Sequence, residues 1–517
     1  MNLRALPGAG VAAAGALLAG GAHALSIAAP WDGQPQWWLQ LFALEVLVRL
    51  VDSAPSARAA ALRGFLFALA WLGGTFWWLF ISLHVYGGLP AVLAVLSVAA
   101  LAALLALYYA LAAGIARHCR LQNPLGRALL WAALWTLAEL ARGLLFTGFP
   151  WGAAGYAHVD GPLAAFAPWV GVYGITAIAA LSAAMLASVA ASAQGRLPAA
   201  LALVAVVALS VALGRIQPAA ENAVIAQPLR VSLLQGNIPQ DVKFEPGVGI
   251  EQSLQWYGQQ LNLASAPLVV APETALPLLP EQLPIGYWQA LQARFASGGQ
   301  TALIGMPMGD MRSGYINAAV GFIPGRMAPY EYAKHHLVPF GEFIPPLFRW
   351  FTEMMNIPLG DFRRGDVGQA SMALGAQRLA PNICYEDLFG EELAARFVDP
   401  AKAPTIFVNM SNIAWFGDSI AIDQHLAISR MRALEFRRPM LRATNTGATA
   451  IVDAQGKVTH ALPRLTQGVL TGEVYGRTDI TPFAWWAGRF GLAPLWGPAL
   501  ALVALALLWR GRRRGHP

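Results

Sequence analysis

Eight segments of this chain are apolar over lengths that can cross a lipid bilayer, and they restrict the possible folds more than any other feature. A helix needs about 20 predominantly apolar residues to cross the hydrocarbon core. Only 12% of the 517 residues are charged, roughly half the fraction in an average soluble domain. The predicted spans are 7–29, 35–52, 62–84, 88–114, 126–147, 162–190, 197–215 and 489–509. We therefore expect a polytopic α-helical membrane domain over 1–217, a separate domain over 226–480 and a last span over 489–509.

The arginines between the apolar segments lie in alternate loops. The first, third and fifth loops carry no lysine or arginine, whereas the N-terminus and the second, fourth and sixth loops are basic. Their arginines are Arg4, Arg49, Arg58, Arg63, Arg117, Arg120, Arg127 and Arg196. Because cytoplasmic loops are enriched in positive charge, this alternation predicts a cytoplasmic N-terminus and places 216–488 outside the cytoplasm. The net charge of +7 forms no basic stripe with interleaved aromatics, so we expect no nucleic-acid partner.

The first apolar segment has a second interpretation. Arg4, an apolar run and Ala22-His23-Ala24 are also typical of a cleavable signal peptide. We favour a retained span because the run is longer than a usual signal core. The placement of the 226–480 domain is the same in both cases.

From 226 to 480, short apolar runs typical of buried strands replace the long ones. These runs are 229–234, 268–271, 301–306, 318–323, 405–409 and 448–453. Helical patterns lie between several of them, at 250–264, 285–297 and 420–437. Strands that alternate with helices predict an α/β domain with a largely buried sheet, and a domain of this length can form its own core.

Cys384 is the only cysteine of this domain and follows the predicted strand 379–383. Residues 385–388 can begin a helix, whose N-terminus would favour the thiolate form of a cysteine. Such a thiol is suited to nucleophilic catalysis. Considered alone, Cys384 is equally consistent with a buried structural cysteine.

Two other ionisable residues also follow apolar runs. An apolar environment would raise the pKa of Glu273 and suit this carboxylate to act as a general base. Lys334 would supply a positive charge to an oxyanion. The plainer interpretation of Glu273 is an ion-paired or helix-capping glutamate, and that of Lys334 is a surface lysine. The two cysteines and nine histidines of the chain have no metal-ligand spacing, so we expect neither a metal nor a cofactor.

Together these segments resemble the nitrilase (carbon–nitrogen hydrolase) superfamily. The motifs are Pro272-Glu273-Thr274, Lys334-His335-His336-Leu337-Val338-Pro339-Phe340-Gly341-Glu342 and Ile383-Cys384-Tyr385-Glu386. Three further motifs are similar to those of its membrane-embedded branch, the apolipoprotein N-acyltransferases, and lie at 148–152, 235–240 and 415–418. The resemblance extends over essentially the whole chain, with departures at Phe244, where tryptophan is frequent, and Ile413, where aspartate is usual.

This resemblance implies a nitrilase-like αββα sandwich with a Cys–Glu–Lys triad. Cys384 would be the nucleophile, Glu273 the general base and Lys334 the group that stabilises the tetrahedral intermediate. The positions that match supporting residues of the family are Glu342, Tyr385, Glu386 and Asn317.

The resemblance also implies transfer of a fatty acyl group, through a cysteine thioester, from a membrane phospholipid to the N-terminal amine of diacylglyceryl-cysteine apolipoproteins. The expected donor is phosphatidylethanolamine, and the expected location is the periplasmic face of the bacterial inner membrane, for a monomeric enzyme. We also expect flexible lipid-facing lids beside the site, because several apolar residues lie in loops. These residues are Phe244, Phe348, Trp350, Phe351, Trp415 and Phe416.

Two other functions stay open. A membrane-anchored amidase or nitrilase would use the same three residues on small carbon–nitrogen substrates. A transporter with a large external domain would tolerate loss of Cys384 and would need charged residues within its spans, which are scarce here. Glu139 and Arg142 do lie three residues apart in one predicted span, and we expect them to pair with each other rather than with a lipid headgroup.

Overall fold

A computed structural model describes residues 8–191, 193–216, 223–310, 312, 314–344 and 362–514. These residues form two compact units. The first unit comprises described residues within Met1–Phe80, Ala91–Pro218 and Leu492–Pro517, and the second comprises those within Ile81–Pro90 and Ala219–Gly491. The short segment Ile81–Pro90 therefore belongs to the second unit, although it lies between two long helices of the first in the sequence.

The first unit is built from long apolar helices. Its helices are Ala9–Ile27, Trp37–Asp52, Ala57–Phe76, Ala91–Cys119, Pro124–Leu144, Ala167–Ala191, Ala193–Arg215 and Ala493–Arg514. By length and composition, seven helices in the described part of the chain can cross a membrane. The helix Trp37–Asp52 of the second predicted span has 16 residues, about 24 Å of helix against a hydrocarbon core of about 30 Å. Seven of the eight predicted spans thus correspond to helices that can cross a membrane, and the chain is a multi-pass membrane protein.

One ion pair is fully buried inside this helical unit. Arg142 Nη2 lies 2.8 Å from Glu139 Oε2, and neither side chain is exposed. The Tyr109 hydroxyl donates to Glu139 at 2.8 Å and accepts from Arg142 Nε at 2.9 Å. Arg142 Nη1 donates to the carbonyl oxygens of Phe149 and Trp151, at 2.7 and 2.8 Å. The predicted pairing is confirmed, and Arg142 also fixes the turn that follows its helix.

The second unit contains two six-stranded sheets. The strands are β1 Leu229–Gln235, β2 Leu268–Val270, β3 Thr301–Asp310, β4 Gly314–Phe322, β5 Tyr330–Ala333, β6 Met372–Leu374, β7 Gln377–Ile383, β8 Ile406–Ser411, β9 Met440–Thr444, β10 Ala450–Val452, β11 Val458–Ala461 and β12 Gly468–Val474. The first sheet has the order β12-β1-β2-β3-β4-β5 and the second the order β11-β10-β9-β8-β7-β6. Because β1–β3 and β7–β9 run parallel, the carboxyl ends of these strands lie at one edge of each sheet.

The two sheets pack face to face between outer layers of helices. Val231 and Leu268 of the first sheet and Leu379 and Val408 of the second belong to one buried cluster. The neighbour of Leu268, Val269, instead packs against helices, as the alternation of side chains along a strand requires. The outer helices are Gly249–Leu263 and Tyr287–Ser297 on the first sheet and Gly390–Ala394, Ala421–Phe436 and Pro482–Phe490 on the second. The predicted αββα sandwich is confirmed.

The apolar runs of the sequence correspond to the interior of the sheets. All six predicted runs contain strands, because a strand buried on both faces is apolar along its whole length. The runs miss the four edge strands β5, β6, β11 and β12, and β12 for example is exposed at alternate residues. Of the central strands, the runs miss β7, which is predicted separately at 379–383, and β9, which carries the buried Arg442.

Replacing Arg142 by methionine is expected to destabilise the protein by about 3–5 kcal/mol, because the buried Glu139 carboxylate loses its counter-charge. Thermal unfolding in detergent would measure this loss. The double variant Arg142→Met with Glu139→Gln should recover part of the stability, since no buried charge is then unpaired. A double variant no more stable than Arg142→Met would contradict this account.

Candidate active site

The candidate catalytic residues lie in turns at the ends of strands. Glu273 is three residues beyond β2, Lys334 follows β5 directly and Cys384 follows β7 directly. Asn412 follows β8 in the same way. The rigid sheets therefore fix where these turns begin, while each turn is free to adopt its own backbone conformation.

Lys334, Glu273, Glu342 and Asn317 form one buried cluster. The Lys334 Nζ lies 3.1 Å from Glu273 Oε1 and 2.9 Å from Glu342 Oε1, and its side chain is 1% exposed. The Asn317 amide donates to the same two oxygens, at 2.8 and 2.7 Å. An ammonium has three N–H donors. Among the described residues, the carboxylates of Glu273 and Glu342 accept two of the three N–H donors of Lys334. The third N–H is therefore available to a substrate oxygen.

Further hydrogen bonds hold the second carboxylate oxygen of Glu273 and the turn that carries it. The N–H of Asn412 donates to Glu273 Oε2 at 2.9 Å. The buried Lys243 amine donates to the main-chain oxygen of Glu273 at 3.3 Å and to the Thr274 hydroxyl at 2.8 Å. Thr274 has a φ of +49°, a left-handed conformation that is uncommon outside glycine. Both carboxylate oxygens and the turn that carries them are therefore held in place.

The Glu273 turn also lies directly against β3. A Cβ added at Gly305 would be 2.2 Å from the carbonyl oxygen of Pro272 and 2.6 Å from the Cα of Glu273. The N–H of Leu276 donates to the carbonyl oxygen of Gly305 at 3.2 Å. Glycine is needed here because the two backbones approach so closely.

Cys384 is the first residue of the five-residue 3₁₀ helix Cys384–Leu388, at the sharp turn that follows β7. Its φ is +51°, a strained conformation that costs about 1–3 kcal/mol and is found mainly at functional sites. The residue is half-buried. The strained turn thus presents the thiol at the end of a buried strand.

Glu386 connects the turn after β7 with the segment after β5. Its buried carboxylate accepts hydrogen bonds from the N–H groups of Ile383, His335 and His336, at 2.6, 2.7 and 3.2 Å, and from the hydroxyl of Tyr332 at 2.8 Å. Burial raises the pKa of Glu386, and these donors oppose the shift. Glu386 therefore positions the two loops that carry Cys384 and Lys334.

The pKa of the Cys384 thiol is raised to about 12. Burial is the main cause, the charge of Glu273 raises the pKa further, and the charge of Lys334 lowers it. The expectation that a helix N-terminus favours the thiolate is wrong, because the helix after Cys384 is a short 3₁₀ turn and cannot outweigh burial beside a carboxylate. The thiol of the resting site is therefore protonated.

The pKa of Glu273 is lowered, whereas its apolar surroundings in the sequence predicted a raised value. Burial alone would raise it, but the charge of Lys334 and hydrogen bonds from Asn317, Lys334 and Asn412 outweigh burial. Burial would likewise lower the pKa of Lys334, but the charges of Glu273 and Glu342 raise it. The resting site thus holds an ionised carboxylate, an ammonium and a neutral thiol.

The predicted residue Tyr385 supports the turn that follows the thiol. It is 4% exposed. Its ring lies 5.3 Å from that of Phe389 and 5.6 Å from that of His336, measured between centroids. These contacts fill the space behind the Cys384 turn.

The predicted lid residues have different environments. Phe244 is 46% exposed, and its ring centroid lies 5.7 Å from the Nζ of Lys243. Trp415 is half-buried and meets the ring of Tyr86 edge-on at 5.9 Å, and the adjacent Phe416 is also half-buried. Tyr86 belongs to the π-helical segment Ile81–Tyr86 of the second unit. The other three predicted lid residues, Phe348, Trp350 and Phe351, lie outside the described residues.

Several buried polar residues near the site are absent from the predicted set. They are Lys243, Asp387, Asn409, Asn412, His425, Arg442 and Asn445. The available signal is a polar residue in an apolar run, such as Asn409 at the end of the run 405–409. Because a buried polar group requires a partner, such positions indicate a buried network, although they do not identify the partners.

The fold and the site define a multi-pass membrane protein with a carbon–nitrogen hydrolase domain. The family model described as carbon–nitrogen hydrolase matches residues 230–479. The model described as apolipoprotein N-acyltransferase N-terminal domain matches residues 19–185. Both units of the structure therefore correspond to known domains.

Relatives of similar length identify the family. This chain is 57% identical over 499 residues to an apolipoprotein N-acyltransferase of Verminephrobacter eiseniae, with 92% of each chain covered. It is 48% identical over 485 residues to one of Ralstonia nicotianae, covering 93% of this chain and 90% of the relative. It is 42% identical over 548 residues to one of Bordetella bronchiseptica, covering 96% and 97%. The chain belongs to the apolipoprotein N-acyltransferase family.

Removing the two charges that act on the thiol should shift its pKa in opposite directions. We expect Glu273→Gln to lower the pKa of Cys384, because a negative charge that opposes the thiolate is lost. We expect Lys334→Met to raise it, because a positive charge that favours the thiolate is lost. The pH dependence of alkylation by iodoacetamide, in a Cys119→Ala background, reports this pKa. Glu331→Gln, at an exposed position on β5, should leave the profile unchanged, and shifts of the same sign in the first two variants would contradict the electrostatic account.

Gly305→Ala should displace the Glu273 turn and reduce activity by about 100-fold, since a catalytic group misplaced by about 1 Å can lose that much. Gly299→Ala is the matched control, because a Cβ there meets nothing within 4 Å. Initial rates and thermal unfolding would be measured for both variants. Wild-type rates in folded Gly305→Ala would show that the close approach to β3 does not position Glu273.

Proposed function

We propose that this chain transfers a fatty acyl group from a membrane phospholipid, through a thioester on Cys384, to the N-terminal amine of a diacylglyceryl-cysteine apolipoprotein. The observation that carries this proposal is the buried pairing of Lys334 with Glu273 and Glu342, whose charges act on the half-buried Cys384. The seven apolar helices and the family of the chain support lipid substrates. A thioester divides a difficult ester-to-amide transfer into two easier steps.

In the first step the Cys384 sulfur attacks the ester carbonyl of the phospholipid, and Glu273 takes the thiol proton. Because the pKa of the thiol is raised and that of Glu273 is lowered, the proton moves as the carbon–sulfur bond forms rather than beforehand. Lys334 donates its remaining N–H to the oxyanion of the tetrahedral intermediate. The carbon–oxygen bond then breaks, and Glu273 passes the proton to the departing alkoxide oxygen, which becomes the free hydroxyl of the lysophospholipid.

In the second step the free amine of the apolipoprotein attacks the thioester carbonyl. Glu273 accepts a proton from the amine, and Lys334 again stabilises the oxyanion. The carbon–sulfur bond breaks, and the proton from Glu273 restores the Cys384 thiol. No group other than the two substrates is consumed, so the cycle needs no cofactor.

The thioester must be kept from water until the amine arrives. Phe244, Trp415 and Phe416 are large apolar residues that are exposed or half-buried, and we assign them to lids over the acyl chain. The predicted lid residues Phe348, Trp350 and Phe351 belong to the same proposal. Such lids gate access and exclude water in many enzymes.

The proposed donor is phosphatidylethanolamine, and the proposed location is the bacterial inner membrane with the catalytic unit on the periplasmic side. Loops that carry arginine alternate with loops that carry neither lysine nor arginine, and this alternation supports the proposed orientation. The candidate residues Glu273, Lys334 and Cys384 come from one chain, which is consistent with a monomeric enzyme.

A two-stage assay with purified protein and acyl-labelled phosphatidylethanolamine tests the proposal. The first stage should give a hydroxylamine-sensitive adduct that is absent in Cys384→Ser and present in Cys119→Ser, because only Cys384 carries the acyl group. Adding a diacylated lipopeptide in the second stage should discharge the adduct to an amide. If water discharges the adduct as fast as the lipopeptide and no amide forms, the protein is a hydrolase, the main alternative function.

A further inference from the structure

The main-chain carbonyl of Cys384 is held by two buried side chains outside the catalytic cluster. Asn409 Nδ2 donates to this oxygen at 3.1 Å, and His425 Nε2 lies 3.2 Å from it. Neither Asn409 nor His425 is exposed. Cys384 has a left-handed backbone, a conformation that is unfavourable for a residue with a side chain. The two contacts to its carbonyl oxygen therefore restrain this backbone conformation.

The partners of His425 determine which of its ring nitrogens carries the proton. Arg442 Nη2 lies 3.2 Å from His425 Nδ1. A guanidinium only donates hydrogen bonds, so Nδ1 must accept and the proton must reside on Nε2. The Nε2–H is then shared between the Cys384 carbonyl and Asp387 Oδ1, at 3.2 and 3.0 Å. The Nε2–H of His425 is thus aimed at the backbone of the nucleophile.

Asp387 and Arg442 are themselves anchored from several elements. Arg442 Nη1 lies 3.4 Å from Asp387 Oδ2 and 3.3 Å from the carbonyl oxygen of His425, and it also contacts Ser429. Ser429, one turn beyond His425 on the same helix, donates to Asp387 Oδ2. All four side chains are fully buried. The network therefore joins the 3₁₀ turn after Cys384 to the helix Ala421–Phe436 and to β9.

We propose that Asp387, His425 and Arg442 form a positioning network that locks the Cys384 carbonyl and so holds the thiol in its reactive orientation. This inference rests on the proposed function, because it assigns Cys384 as the nucleophile. None of the three side chains touches substrate in this proposal. Arg442 and Asp387 orient the imidazole, and the imidazole N–H fixes the backbone.

The test compares His425→Leu with His425→Gln, each in the Cys119→Ala background. Leucine removes the donor, so single-turnover formation of the acyl adduct should slow by about 100-fold, as expected for a nucleophile misplaced by about 1 Å. Glutamine retains an N–H donor and should recover the rate to within about tenfold of the parent. The lipopeptide KM should change by less than about twofold in both, because acceptor binding is not altered.

Glu435→Gln is the matched control for lost stability. It breaks another fully buried ion pair on the same helix, Arg432–Glu435 at 2.9 Å. Thermal unfolding should show a loss of stability in this variant, with the rate of adduct formation within about twofold of the parent. The positioning role is overturned if Glu435→Gln slows adduct formation as much as His425→Leu, or if folded His425→Leu reacts at the parental rate.

A second readout separates failure of this inference from failure of the proposed function. Alkylation of Cys384 by iodoacetamide needs no acyl donor. At pH 8 its rate should change several-fold in His425→Leu relative to the parent and be restored in His425→Gln, because a displaced thiol changes its burial and its distances from Glu273 and Lys334, which together set its pKa. A parent that forms no acyl adduct would overturn the proposed function, and the alkylation rates would still decide the role of the network. Equal alkylation rates in the parent and both variants would overturn the positioning role of the network.

Discussion

The constraint on which this site depends is the burial of one ammonium with two carboxylates beside a thiol. Lys334 neutralises one of the charges of Glu273 and Glu342, so the cluster carries a formal charge of −1. A buried group with a like charge nearby resists ionisation, and the raised pKa of Cys384 is the result. Charge therefore develops on the sulfur only when a carbonyl carbon is there to accept it.

Assembling this cluster requires backbone conformations that are unfavourable in isolation. Thr274, which follows Glu273, and the nucleophile Cys384 both have left-handed backbones. Gly305 has no side chain and therefore lets the Glu273 turn approach β3. Hydrogen bonds from buried polar groups offset this strain: Lys243 holds the first turn, and Glu386 and His425 hold the second. The rigidity of the sandwich and the reactivity of the site are thus consequences of the same network.

The parts of this structure that are evident in the sequence are those set by local burial. Continuous apolar runs predict the central strands because both faces of those strands are covered. The pKa of Glu273 was predicted with the wrong sign because its partners Lys334 and Asn412 lie 61 and 139 residues away. Family motifs identify the candidate residues, but His425 has no local signal, since its role depends on Arg442 in another element.

The negative cluster also bears on the second step of the proposed reaction. Once Cys384 is acylated, its thiol no longer titrates, whereas the formal charge of −1 on Glu273, Glu342 and Lys334 together is unchanged. An α-amino group has a pKa of about 7.7–8.0, so most of it enters as an ammonium at pH 7. The cluster attracts that cation, but only the free amine can attack the thioester. The charge that adds to burial in raising the pKa of the resting thiol therefore also attracts the acceptor to the site, and water gains no such advantage.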